Sequence, residues 1–173
     1  AWLDDQLARP ARDPGFDARL AATQLRIQYE ASGEGDDGTW TALDELRRLN
    51  LNADPADLLT LVDWEIDRAW PERVRPGDEV IHAALIRAVH APGQLREVMT
   101  QFWHDHFNVH AMKDEYTAIY FPQYDAMLRD HAFGNFRAML GDMARSPAML
   151  HYLNNAESAA SPANENFARE LLE

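Results

Sequence analysis

Glu79-Val80-Ile81-His82-Ala83-Ala84-Leu85-Ile86-Arg87-Ala88-Val89-His90 sets Ile81, Ala84, Leu85 and Ala88 at i, i+3, i+4 and i+7. That is the apolar row of an amphipathic helix. Working upstream, Pro71 to Asp78 reads as a loop, and Pro55 to about Trp70 as a helix carrying Leu58, Leu59, Leu61, Val62 and Ile66. Leu43, Leu46 and Leu49 repeat at threes, which predicts a short helix. Gly33-Glu34-Gly35-Asp36-Asp37-Gly38 is an acidic loop without packing residues. One helix is expected from Pro14 to about Ser32, with Phe16, Leu20 and Ile27 on a shared face. Downstream, Pro92-Gly93 precedes a helix from Gln94 to about His110. Pro122 opens another, and Gly134 divides it from a helix with Phe136, Met139, Leu140 and Met143 on one side. Met149, Leu150 and Leu153 form a short helix, a loop runs from Asn154 to Ala163, and the last helix begins near Asn164. Asp13-Pro14, Asp54-Pro55 and Ser146-Pro147 mark helix starts, since proline at the first helical position loses no hydrogen bond. No strand pair and no repeat is visible. The expected fold is all-α, an irregular multi-helix globular bundle forming one domain over residues 1–173.

Hydrophobic residues make up 46% of the 173, enough for a core without staples, and cysteine is absent, which excludes disulfides and thiolate metal sites. The net charge of −13, from 29 acidic and 16 basic residues, repels nucleic acid and anionic lipid. Arg47-Arg48, the one adjacent basic pair, sits among acids, so nucleic acid is not an expected partner. No apolar run reaches the length of a membrane span. The start, Ala1-Trp2-Leu3-Asp4-Asp5, shows no signal peptide. The end, Leu171-Leu172-Glu173, falls inside a helical pattern with no stop residue, so the natural chain is expected to continue.

Ligand-type side chains concentrate in Phe102-Trp103-His104-Asp105-His106-Phe107-Asn108-Val109-His110. At 100° per residue Leu95, Met99, Phe102, His106 and His110 fall on one stripe, which predicts His106 and His110 inward and His104 towards solvent. Two imidazoles at i, i+4 can share a metal ion. The pair reads first as a satisfied core histidine and a helix-terminal one, ahead of a metal pair or a proton-transfer group.

The second concentration is Asn164-Glu165-Asn166-Phe167-Ala168-Arg169-Glu170-Leu171-Leu172-Glu173. On a helix, Asn166, Glu170 and Glu173 share a face beside Phe167 and Leu171, while Glu165 and Arg169 form an i, i+4 ion pair. Two carboxylates at i, i+3 repel unless a cation or proton lies between them. They read as hard metal ligands or an acid/base pair, or alternatively as a capped, solvated helix start with Asn164 as N-cap.

Four blocks then carry a resemblance. Phe102-Trp103-His104-Asp105-His106-Phe107 resembles the FW-x-N-H-F block of a bacterial family catalogued as domain-of-unknown-function family 1800. Gly134-Asn135-Phe136-Arg137 resembles its G-N-F-R block, Pro147-Ala148-Met149-Leu150 with Tyr152-Leu153 its P-A-M-L-x-Y-L block, and Asn164 to Leu171 its N-E-N-[YF]-A-R-E-L block. The resemblance implies an exported bacterial protein, commonly encoded beside a sulfatase-like exported partner, with no established activity to transfer. It implies that His106 is the regular histidine of its block and that the pattern runs past Glu173. Asp105 stands where the family has asparagine. The site it points to is His106 with Asn164, Glu165, Asn166, Arg169 and Glu170.

Two functions compete. In an enzyme, His106 is a ligand or general base and Glu170 a ligand or acid/base partner, with Asn166 and Arg169 orienting or neutralising charge. A divalent metal ion in that site would draw on His106, His110, Glu170 and Glu173. Such a site requires His106 and Glu170 to meet in space, within a few ångströms of each other, in a cavity. In a non-catalytic secreted scaffold or binding module, the polar blocks are buried networks that fix helix packing. An all-helical haem or copper protein is a third reading, without haem-attachment cysteines to support it.

Overall fold

The computed structural model describes residues 1–160 and 163–172. It is mostly helical, and the expectation of an all-α fold is corrected by one antiparallel hairpin. Helix α1 spans Trp2–Ala8 and α2 Pro14–Ala22, where Asp13 caps by accepting from the Phe16 N–H. The long helix expected to Ser32 stops at Thr23, whose backbone is extended. Gln24–Tyr29 is β1, with Leu25, Ile27 and Tyr29 half-buried and their neighbours exposed. That period of two is a strand's. Its partner β2, Leu43–Arg48, replaces the short helix expected there and pairs in the register Leu25↔Arg47, Ile27↔Glu45 and Tyr29↔Leu43. The glycine-rich loop joins the strands. At Gly38 φ is +111°, and a Cβ would lie 2.6 Å from Asp67 Oδ1, so only glycine fits.

The helix expected from Pro55 to Trp70 is broken. Helix α3 covers Pro55–Leu58, one tight turn follows over Leu59–Leu61, and turns lead on to Ala69. Arg73 explains the break. Its guanidinium donates to the Leu61 and Ile66 carbonyls at 2.9 and 3.0 Å and stacks 4.2 Å over Trp64. Carbonyls that a continuous helix would have paired are satisfied by a side chain instead.

The segment expected as a loop before Glu79 is helical, as α4 (Trp70–Arg73) and the start of α5 (Arg75–His90), each with a proline in its first turn. The α5 row Ile81, Leu85 and Ala88 faces solvent, while Val80, Ala83 and Arg87 turn towards the interior. Small residues and an ion pair set the helix's phase. At Gly77 a Cβ would lie 2.7 Å from the Ala111 carbonyl oxygen, so α5 and the loop before α7 are in backbone contact. Arg75 and Glu72, Glu79 and Arg47 tie the hairpin to α4 and α5, and Glu79 also accepts from the Asn50 N–H at 2.7 Å.

Helix α6 spans Gln94–Phe107 and α7 Glu115–His131. Pro122, expected to open a helix, lies inside α7, which Asp114 caps by accepting from the Thr117 N–H at 2.7 Å. Helices α8 (Phe136–Arg145), α9 (Pro147–Tyr152) and α10 (Asn166–Leu172) complete the chain. Helix α7 is the centre, packed on α5, α6, α8 and α9. Its Phe121, Tyr124 and Leu128 form the main core with Val80, Met139, Met143 and Met149. Burial of these side chains contributes on the order of 1.5–3 kcal/mol each. Among the described residues no helix is long and apolar enough to cross a membrane.

Candidate functional site

Helix α6 ends three residues before His110, because Asn108 adopts the left-handed conformation (φ 51°) and its N–H closes on the His104 carbonyl at 2.8 Å. Val109 and Ala111 then turn into the core. The stop separates the two histidines that helical spacing would have stacked. Both are exposed, which corrects the expectation that they point inward. His106 stacks against Phe102, ring centroids 6.1 Å apart, and lies edge-on to Trp103. His110 Nδ1 accepts from the Met112 N–H at 3.3 Å.

His104, expected at solvent, is the one that points in. Its Nε2 lies 3.1 Å from Asp125 Oδ1, and its ring packs on Phe121 and Tyr124. The inward stripe of α6 is Glu97, Thr100 and His104, flanked by Trp103 and Phe107, whereas Phe102 is 51% exposed. Polar groups choose this face because α7 presents their partners. Arg129 Nη1 donates to Glu97 at 2.5 Å and its Nη2 to Asp125 at 3.3 Å, and Arg87 of α5 donates to the other Asp125 oxygen at 3.1 Å. Burial disfavours the charged form of Asp125, but Arg129, the His104 hydrogen bond and Arg87 together hold its carboxyl well below the usual carboxylate range. Burial likewise lowers Arg87, while Asp125 and Glu97 keep Arg129 above its ordinary value against its own desolvation. Arg87, Asp125 and Arg129 also border a cavity of about 270 Å³ between α2, α5 and α7. Sequence reasoning missed this network. The signal available was the i, i+4 pair Asp125 and Arg129 sitting among the core residues Phe121, Tyr124 and Leu128.

The C-terminal block lies elsewhere. Asn164, expected as N-cap, lies one residue before the cap position of the helix that starts at Asn166; its side-chain oxygen still accepts from the Asn166 N–H at 2.9 Å, and its amide donates to the Asn154 carbonyl at 2.9 Å. The expected Glu165–Arg169 pair is replaced, because Arg169 Nη2 donates to Asn166 Oδ1 at 2.8 Å and to Glu170 at 3.0 Å. Glu170 is exposed, with its charge partly balanced by Arg169. Phe167 packs against the main core and so seats α10 beside α8 and α9.

One open cleft of about 1210 Å³ is lined by His106, His110, Asn166 and Glu170, with Phe107, Phe136 and Tyr152 among its walls. Residues about sixty positions apart in sequence thus border one space. Arg169 stands behind it, bonded to Asn166 and Glu170. Among the described residues no three His, Asp or Glu side chains converge as a metal-binding group. Glu173, the fourth candidate ligand, lies outside the described residues. Lys113, which sequence reasoning did not single out, borders the cleft and donates to the Tyr152 carbonyl at 2.5 Å and to Asn154 Oδ1 at 3.0 Å, closing the end of α9.

No curated protein and no solved structure matches the chain. The sequence profile of one family, described as "Protein of unknown function (DUF1800)", matches residues 1–173. With the whole length covered and the histidine and C-terminal blocks brought to one cleft, the chain belongs to the DUF1800 family.

Proposed function

We propose that the cleft between α6, α8, α9 and α10 is the active site of an acid/base enzyme. His106 acts there as general base, and Glu170, which borders the same cleft, is its carboxyl partner. Arg169, itself bonded to Asn166, holds the Glu170 carboxylate in place and balances its charge. The observation that carries this reading is that His106 and Glu170 border the same open space and neither is consumed by core packing. In a metal-assisted variant of the same site, a divalent ion would sit on His106 or His110 and on Glu170. The acid/base form needs only the side chains already facing the cleft. Export, and a sulfatase-like exported partner, enter this reading through the family resemblance alone.

The competing reading, a non-catalytic secreted scaffold, draws on the Arg169–Glu170 and Asn164–Asn166 bonds, which organise the start of α10. A single experiment separates the two. The full-length protein, His106→Ala and Glu170→Gln are assayed against chromogenic esters, phosphates, sulfates and glycosides, with elemental analysis of each preparation. The expected result is turnover of at least one class, reduced about a hundredfold or more in either variant. Metal present in the parent and lost in His106→Ala selects the metal-assisted form. Turnover unchanged in both variants, or none in the parent, makes the scaffold reading the better one.

A further inference from the structure

Resting on that assignment of the cleft, we propose that its substrate class is a neutral saccharide chain. Four features of the walls point the same way. First, the cleft contains an aromatic platform. Phe136 lies with one face on Trp103, ring centroids 5.6 Å apart and planes 29° from parallel, and is still 48% exposed. A ring fixed from behind and open in front offers a flat apolar surface at little entropic cost, the kind on which the C–H face of a pyranose stacks. Phe167 and Tyr152 add further aromatic wall.

Second, the rim is rich in neutral amides. Asn108, Asn154 and Asn166 all border the cleft. The side-chain oxygen of Asn154 is taken by Lys113 and that of Asn166 by Arg169, which leaves their NH₂ groups as donors; the Asn108 side chain makes no hydrogen bond to the described residues. Amides paired with the carboxylates of Asp105 and Glu170 supply the mixture of donors and acceptors that vicinal hydroxyls require. Third, the local charge is close to balance. Asp105, Glu170 and Lys113 all border the cleft, Arg169 is bonded to Glu170, and the chain as a whole carries −13. Nothing here attracts a polyanion such as a nucleic acid or a heavily sulfated glycan. Fourth, a space of about 1210 Å³ exceeds the roughly 300–1,000 Å³ of a small-molecule pocket and suits several units of a polymer.

The test uses the full-length protein and neutral oligosaccharides of about four to six units, from cellulose, xylan, mannan, starch and chitin, followed by ligand-observed NMR and calorimetry. At least one series is expected to bind, and Phe136→Ala to weaken it about tenfold or more, with Phe136→Tyr restoring it. Circular dichroism checks that each variant is folded. No binding in any neutral series overturns the proposal, as does binding indifferent to Phe136, or a cleft that takes an extended peptide or sulfated glycan instead. The outcomes also separate this proposal from the catalytic one. Turnover that depends on His106 without saccharide binding leaves the acid/base site and removes the substrate class. Phe136-dependent saccharide binding, with no turnover affected by His106→Ala or Glu170→Gln, does the reverse.

Discussion

His104 and His106 leave the same helix two residues apart and enter different physical worlds. The first meets Asp125 inside the α5–α6–α7 interface, where Arg87, Glu97 and Arg129 complete a buried set of charges. The second stands at the edge of an open cleft with aromatic neighbours and, among the described residues, no charged partner. In the interface, polar groups hold one another and bind three helices together. In the cleft, the histidine makes no hydrogen bond to the described residues and borders open space. The contrast separates polar residues that serve the fold from those available to chemistry, and each prediction below attacks one side of it.

The largest effect is expected at Asp125. Asp125→Ala leaves Arg87 and Arg129 buried with their shared acceptor gone, and breaking a buried ion pair this way costs about 3–5 kcal/mol. Urea unfolding at neutral pH measures it. A loss below about 1 kcal/mol would mean that the interface is not held by these charges, and the contrast with the cleft would fail.

Acid should erode the interface late. A carboxyl whose folded pKa lies below its unfolded value adds stability that is fully present above the unfolded value, near 3.9, and is lost as pH falls through the folded one. The Asp125 carboxyl is shifted downward, so its share of stability should persist to about pH 4 and disappear only in stronger acid. Urea midpoints followed from pH 6 downward, for the parent and Asp125→Asn, should converge at the acid end. Curves that stay parallel throughout would remove Asp125 as the cause.

The smallest effect on stability belongs to the cleft. His106→Ala and Glu170→Gln replace exposed side chains and should move stability by no more than about 0.5 kcal/mol. The same thermal or urea melt tests it. A loss near that of Asp125→Ala would place these residues in the scaffold.

Much of the helical framework was legible where backbone chemistry is local. Asp13-Pro14 and Asp54-Pro55 announced their helices, and both aspartates cap as expected. What failed needed information from distant residues. Leu25, Ile27 and Tyr29 alternate like a strand, but running the pattern on from Phe16 and Leu20 hid the change of period at Thr23. Leucines at threes in 43–49 fit a helix equally well, and only pairing with β1 decides between the two. The phase of α6 could not be found from its own apolar residues, because Asp125 and Arg129 choose its buried face from 21 and 32 positions away. The candidates His106, His110, Asn166 and Glu170 stood out because each sits in a dense local block of ligand-type side chains, and the fold sets both blocks along one cleft, whereas Lys113 on the same cleft has no such block around it. Trp103 and Phe136, which shape the platform, carry no signal of their own beyond being aromatic.

The hairpin has a consequence for life in concentrated solution. A sheet of two strands has two unpaired edges, and bare edges recruit further strands from neighbouring molecules. Strand β2 answers this with Asp44, Glu45, Arg47 and Arg48, and β1 carries Arg26, which pairs with Asp44 across the ladder at 2.6 Å. A second molecule stacking on either edge in parallel register would bring each of these charges against its own copy. The strands that complicate a helical fold are therefore built to stay two in number, and they add a sheet without offering a template for fibrils.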